Sequence, residues 1–275
     1  MNKVEFKKVF SSITEDLLGK QKTQRYQKPH YAVRPINMML EDLVQNDDVS
    51  WGKYAFSREP LNGKFNDEQR RELTLKCNAC GVEYARKYVS QYQESDPVGL
   101  AEKLGIKVNY PEMPQNADRV LFAEYKTPNN IYIYTDSIKK AYDTMNESQC
   151  RDILGNDLDI TNVLLAHELF HYVEKQNEET IFTHTEKVEL WAPRPLHNRS
   201  GICVLSEIAA MAFARELTGL SYSPYVMDVF LVYGYYTEEA SGLYEEIMEY
   251  AGKVARLPEE SKSRLEEIIP MTDMA

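Results

Sequence analysis

The chain has 275 residues, 43% hydrophobic and 27% charged, with a formal net charge of −11 and only five histidines. That length allows one large domain or two small ones, with ample chain for a buried core. The acidic balance argues against a dedicated nucleic-acid binder, which needs Lys and Arg for phosphates, and no apolar run reaches the length of a membrane span.

The chain opens on a basic segment: residues 1–34 hold eight Lys or Arg against three Asp or Glu. Val4, Phe6, Val9, Phe10, Ile13, Leu17 and Leu18 recur at helical spacing and stop at Gly19. The start lacks the unbroken apolar stretch of a signal peptide, so a cytoplasmic location is expected. The amphipathic segment is either an arm that docks on a partner or DNA, or a surface helix whose basic face meets acidic neighbours. No helix-turn-helix pattern follows it, which favours the surface helix.

A helix is expected over Ile36–Gln45, then an aromatic, turn-rich passage, Trp51–Phe56, broken by Pro60 and Asn62-Gly63. A long helical pattern runs from about Asn66 to Tyr92 and contains Cys77-x-x-Cys80. The remaining cysteines, Cys150 and Cys203, are single and far apart, so no second pair completes a zinc knuckle. The two thiols read as packing on one helix, and four cysteines in a chain this long are not a disulfide framework. Residues 1–94 therefore read as a helical region of unassigned role.

A second unit, 95–235, starts with the cap-and-proline pair Asp96-Pro97. Ile106–Tyr110 alternates and stops at Pro111; Val120–Tyr125 and Ile131–Tyr134 are two β-rich runs around a turn at Thr127–Asn130. The stretch 145–158 is polar, contains Gly155-Asn156-Asp157, and reads as a loop. The expected fold class is α+β, mostly helical, with a small antiparallel or mixed sheet.

The sharpest signal follows at His167-Glu168-Leu169-Phe170-His171, an H-E-x-x-H pattern. Asp159 can cap the helix, and Ile160 to Leu165 supply apolar residues at helical spacing. On a helix the two histidines lie one turn apart on one face and can reach a single metal ion. Glu168 projects about 100° round from His167, close enough to take a proton from a metal-bound water. Zinc so held lowers the pKa of that water to about 7. The plain alternative is a buried helix whose histidines only hydrogen-bond in the core.

A catalytic zinc usually has three protein ligands, and two histidines with a glutamate is an attested set. Ser206–Leu217 is a second helical stretch, small and apolar on most sides, with Glu207 near its start. Small residues let it pack close to the histidine helix, which makes Glu207 the expected third ligand. The carboxylate could instead answer the helix dipole; Glu216, beside Arg215, is the weaker rival as ligand.

His167-Glu168-x-x-His171 followed by Glu207-x-x-Ala210-x-x-Phe213-Ala214 resembles the ImmA/IrrE group of gluzincin-like zinc metallopeptidases. Asp96–Val108 is similar to that family's opening helix and first strand, and Asn130–Tyr134 to the strand before its zinc helix. The resemblance covers roughly residues 95–220; Met211 stands where the family usually carries Asn or Asp. It implies a zincin-like core, one zinc ion, and limited cleavage of a protein substrate, often a transcriptional repressor.

About thirty residues join the two ligand helices and hold His184, Trp191, Pro193, Pro195 and His197, with a short strand expected at His184–Leu190. A histidine or tyrosine beyond the ligands often polarises the scissile carbonyl; His184, His197, Tyr222 and Tyr225 are the candidates. Val226–Tyr236, Glu238–Lys253 and Glu259–Ile269 read as closing helices, with 236–275 packing on the core. The function expected is a zinc metalloendopeptidase with Glu168 activating water and a protein or peptide as substrate. A regulatory binding module with an intact but blocked site, and a hydrolase of small amides, are the alternatives.

Overall fold

A computed structural model describes residues 31–112, 121–191 and 198–257. The basic pattern at 4–18, Val120, Pro193, Pro195, His197 and the helix expected at Glu259–Ile269 lie outside the described residues. In chain order the elements are α1 (Ile36–Leu43), α2 (Asp48–Ser57), a 3-10 turn (Asn62–Lys64), α3 (Asp67–Tyr92), α4 (Pro97–Lys103), β1 (Lys107–Asn109), β2 (Ala123–Lys126) and β3 (Asn130–Ile133). There follow α5 (Thr135–Glu147), α6 (Arg151–Leu154), α7 (Ile160–Gln176), α8 (Phe182–Thr185), β4 (Lys187–Trp191), β5 (Asn198–Gly201), α9 (Val204–Thr218), α10 (Val226–Tyr233) and α11 (Thr237–Tyr250). The fold is α+β and mostly helical.

Local chemistry sets the helix starts. Asn66 and Gln69 form a reciprocal capping box at α3, each side chain accepting the other's backbone N–H at 2.9 Å. The Asp159 carboxylate accepts the Asn162 N–H and starts α7, while Asp96 with Pro97 starts α4. At α9 the cap comes from a distance: buried Glu59 accepts the backbone N–H of Val204 at 3.0 Å and, through its other oxygen, that of Leu61 at 3.0 Å. The loop after α2 is thereby tied to the first turn of the helix that carries Glu207.

α9 is the central element, packed between α3 and α7. Its buried Ala209, Ala210, Ala212 and Ala214 give it a thin profile. On α3 the facing residue is Gly81, where a Cβ would lie 2.2 Å from the Ala209 carbonyl oxygen. Any side chain there would force the two backbones apart.

The three-stranded sheet has the order β1-β3-β2, with β1 parallel and β2 antiparallel to β3. It is therefore mixed, and β2 and β3, joined by the expected hairpin, pack against α7. β4 and β5 form a separate antiparallel pair.

Several expectations are corrected. Trp51–Phe56 is helical, not turn-rich: Asp47 caps α2, and Trp51, Tyr54 and Phe56 are buried. Burial of each such ring contributes about 1.5–3 kcal/mol, more than the few tenths that aromatic residues lose in a helix. The stretch 145–158 is half helical, since Met145–Glu147 finish α5 and Arg151–Leu154 make α6, while 148–150 and the Gly155-Asn156-Asp157 segment are turn and loop as expected; buried Met145, Cys150 and Leu154 anchor it. His184 and Thr185 belong to α8, and the strand starts at Lys187. Cys77 and Cys80, in contrast, are as expected free thiols buried on α3.

One buried cluster runs from Ile36 on α1 to Met248 on α11 and draws on all three sequence units. α11 packs on α1 and α2, where Arg58 and Glu246 make two hydrogen bonds of 2.8 Å. Among the described residues no helix is long and apolar enough to cross a membrane.

Candidate metal centre

α7 presents His167 and His171 on one face, with their Nε2 atoms 3.2 Å apart and their rings nearly perpendicular, at 77°. The first turn of α9 brings in Glu207, whose Oε2 lies 3.4 Å from His167 Nε2 and whose Oε1 lies 3.8 Å from His171 Nε2. One donor atom from each of the three residues falls within 4.8 Å of the others, so the trio could hold a metal ion. Donors at the usual 2.0–2.2 Å from a tetrahedral zinc stand about 3.3–3.6 Å apart; the two imidazole nitrogens are 3.2 Å apart, and the two Glu207 oxygens lie 3.4 and 3.8 Å from one imidazole each.

Two further observations fit a cation. Glu207 Oε2 is buried and has no hydrogen-bond partner, a costly state for a carboxylate oxygen unless a cation meets it. Glu168, Glu174 and Glu207 also bring three carboxylates to two imidazoles in a largely buried space. Nitrogen from two histidines with carboxylate oxygen is a donor set that suits zinc among divalent ions.

The electrostatics of the metal-free cluster have clear causes. Burial raises the pKa of Glu168, as does the nearby Glu207; the two imidazoles and the Tyr125 backbone amide on β2 pull it down, and the net direction is up. Glu207 goes the other way: burial raises it, but His167 and His171 bring it below the usual value. Burial would lower His171, yet Glu174, Glu207 and Glu168 together raise it to about 9.

Behind His171 stand two residues not anticipated as part of the site, Glu174 and Ser206, both 3% exposed. Burial pushes Glu174 up, but the neighbouring His171 and His184 imidazoles and the hydrogen bond from Thr183 hold it far below the ordinary carboxylate range. The spacing carried a signal for it: Glu174 follows His171 by three residues, hence on the same face of the helix. Ser206 could be recognised only as the neighbour of Glu207.

The other candidates are distributed differently. His184 on α8 has its Nε2 3.7 Å from Glu174 Oε2, behind the ligands. Tyr222 donates its hydroxyl to the Leu154 carbonyl at 2.9 Å, a packing role that ties α9's end to α6. Tyr225 stacks on Trp51 with ring centroids 5.6 Å apart; its buried hydroxyl lacks a hydrogen-bond partner and is raised well above 10 by burial and then by Glu207. Glu216 pairs with Arg86 on α3 at 2.7 Å, at the opposite end of α9 from Glu207. Met211 is buried without a polar role, and the carboxylate behind His171 comes from α7 itself. No family model, curated protein or solved structure matches the chain.

Proposed function

We propose that the protein is a zinc-dependent metallopeptidase with a zincin-like core, of the ImmA/IrrE type, performing limited hydrolysis of a peptide bond in a protein substrate such as a transcriptional repressor. The observation that carries the reading is the convergence of His167, His171 and Glu207 from two helices, with Glu168 beside them on the same helix. Zinc in such a site acts as a Lewis acid on the scissile carbonyl and makes water nucleophilic near neutral pH.

The chain's own residues supply the rest. His167, His171 and Glu207 would hold the ion, the Glu207 carboxylate offsetting one of its charges. Glu168, made more basic by burial, takes the proton of the attacking water and returns it to the departing amine. β2 lies at the edge of its sheet among the described residues, and its Tyr125 amide reaches Glu168. An extended substrate backbone can pair along such an edge, so that main-chain hydrogen bonds give affinity and side-chain pockets give specificity.

Glu168→Gln tests the assignment. The variant should keep the zinc content of the wild type and lose cleavage of the protein substrate, while His167→Ala should lose the zinc. Metal analysis finding no stoichiometric zinc in the wild type would end the reading. Burial also favours a second reading, since His167 and Glu168 are 3% and 4% exposed: a regulatory module that binds zinc without turning over. Equal behaviour of the wild type and Glu168→Gln in every cleavage and cellular assay would select that module.

A further inference from the structure

The back of the site contains a hydrogen-bond chain whose polarity is determined by its ends. Ser206 Oγ lies 2.7 Å from Glu174 Oε2 and 3.3 Å from His171 Nδ1. The direct separation from His171 Nδ1 to Glu174 Oε2 is 3.8 Å, too long for a hydrogen bond, so the serine bridges the two. Thr183 donates to the other carboxylate oxygen, Oε1, at 2.5 Å.

A carboxylate can only accept, and a serine hydroxyl has one proton. Ser206 must therefore donate to Glu174, which leaves its lone pairs to accept from His171. That requires the proton of a neutral His171 ring to sit on Nδ1. The Nε2 lone pair is then free, and Nε2 is the atom that faces His167 Nε2 and Glu207.

We propose that Glu174, acting through Ser206, is a positioning residue that sets the tautomer of His171 and locks the register of the two ligand helices. The proposal rests on the metal-centre reading above and deepens it. Ser206 immediately precedes Glu207, so the hydrogen bond from α9 to Glu174 holds the carboxylate ligand at the right height against the imidazoles on α7. Placing the supporting acid on α7 leaves position 211 free for an apolar residue: buried Met211 packs there. Outer partners of metal-bound histidines typically change affinity by about 10–100-fold when removed.

The test measures zinc binding by chelator competition for the full chain and for Ser206→Ala, Ser206→Thr and Glu174→Gln. Zinc-loaded protein is also examined for the ring N–H proton of His171 by ¹⁵N-resolved NMR. Ser206→Ala is expected to weaken zinc binding about 10–100-fold and to abolish the slow exchange of that proton; Ser206→Thr, which keeps the hydroxyl, restores both. Glu174→Gln is expected to weaken binding as well, and if it does not fold, the two serine variants decide the matter alone. Zinc affinity within threefold of wild type in Ser206→Ala, or a threonine variant as weak as the alanine one, overturns the proposal while leaving the metal centre intact. A wild type that takes up no zinc overturns both.

Discussion

Gly81 decides how close α3 lies to α9, the helix that carries Glu207, and replacing it with alanine gives a prediction with two opposed contributions. In a helix interior the change from Gly to Ala stabilises by about 1 kcal/mol from propensity alone. Here the added Cβ would lie 2.2 Å from the Ala209 carbonyl oxygen, 2.8 Å from the Phe213 nitrogen and 2.9 Å from Ala212 Cβ. Two of these neighbours are helix backbone and cannot rotate aside, so α9 must retreat by roughly 1 Å to restore ordinary contacts near 3.5 Å. Overpacking costs about 1–3 kcal/mol, and a 2.2 Å approach to helix backbone belongs at the upper end, about 2–3 kcal/mol. The net expectation for Gly81→Ala is a loss of about 1–2 kcal/mol, or about 2–8 °C in Tm for a chain of this size.

The same retreat moves Glu207, two residues before Ala209, against imidazoles that now stand 3.4 and 3.8 Å from its oxygens. Metal–ligand distances tolerate only about 0.2 Å, so zinc affinity should fall with stability. Urea unfolding of the metal-free protein measures the first quantity, and chelator competition measures the second. Gly63→Ala is the control, because its Cβ would meet nothing within 4 Å. A Gly81→Ala protein at least as stable as wild type would refute the close-packing argument. One that is less stable yet binds zinc normally would refute the link from helix spacing to the site.

Saturating zinc should raise the melting temperature. Free zinc at one hundred times its Kd contributes about 2.7 kcal/mol, which corresponds to about 5–11 °C, and His167→Ala should show no such rise; equal shifts in both proteins would count against the site. A pH prediction rests on Asp228, which accepts the Tyr54 hydroxyl at 2.9 Å and is raised to about 7 by burial, against the opposing pull of Tyr54 and Arg58. Its folded pKa exceeds the unfolded 3.8, so its contribution is fully present below 3.8 and is lost as pH rises through about 7. That window is worth at most about 4 kcal/mol. Wild-type metal-free protein should thus lose stability relative to Asp228→Asn between pH 4 and 7, and a difference of the opposite sign, read by urea unfolding, would refute the assignment.

The helices with strong local signals were legible without coordinates. α3 declares itself by the Asn66–Gln69 box, α4 by Asp96-Pro97, and α7 by Asp159 and the four-residue step between its histidines. α2 and α5 were not. Trp51–Phe56 is rich in aromatic residues that favour helices weakly, and α2 forms because those rings are buried against the rest of the core. Gly52 allows the approach of α3, since a Cβ there would be 2.1 Å from Thr74 Oγ1. α5 does carry an amphipathic stripe, Ile138, Ala141 and Met145 at helical spacing, but no side chain caps its start at Tyr134, so nothing local marks where it begins.

For the site, the sequence by itself determined that two imidazoles and Glu168 share one turn of one helix, because a four-residue step on a helix leaves no freedom in that relation. Only the tertiary structure decided that Glu207 rather than Glu216 meets them, since that depends on how α9 is set by Gly81 and Glu59, residues more than a hundred positions away. It also decided that the acid behind His171 comes from α7 and reaches it through a serine on α9. Periodicity describes one helix at a time, whereas a hydrogen-bond chain between helices exists only once packing has set their separation and register.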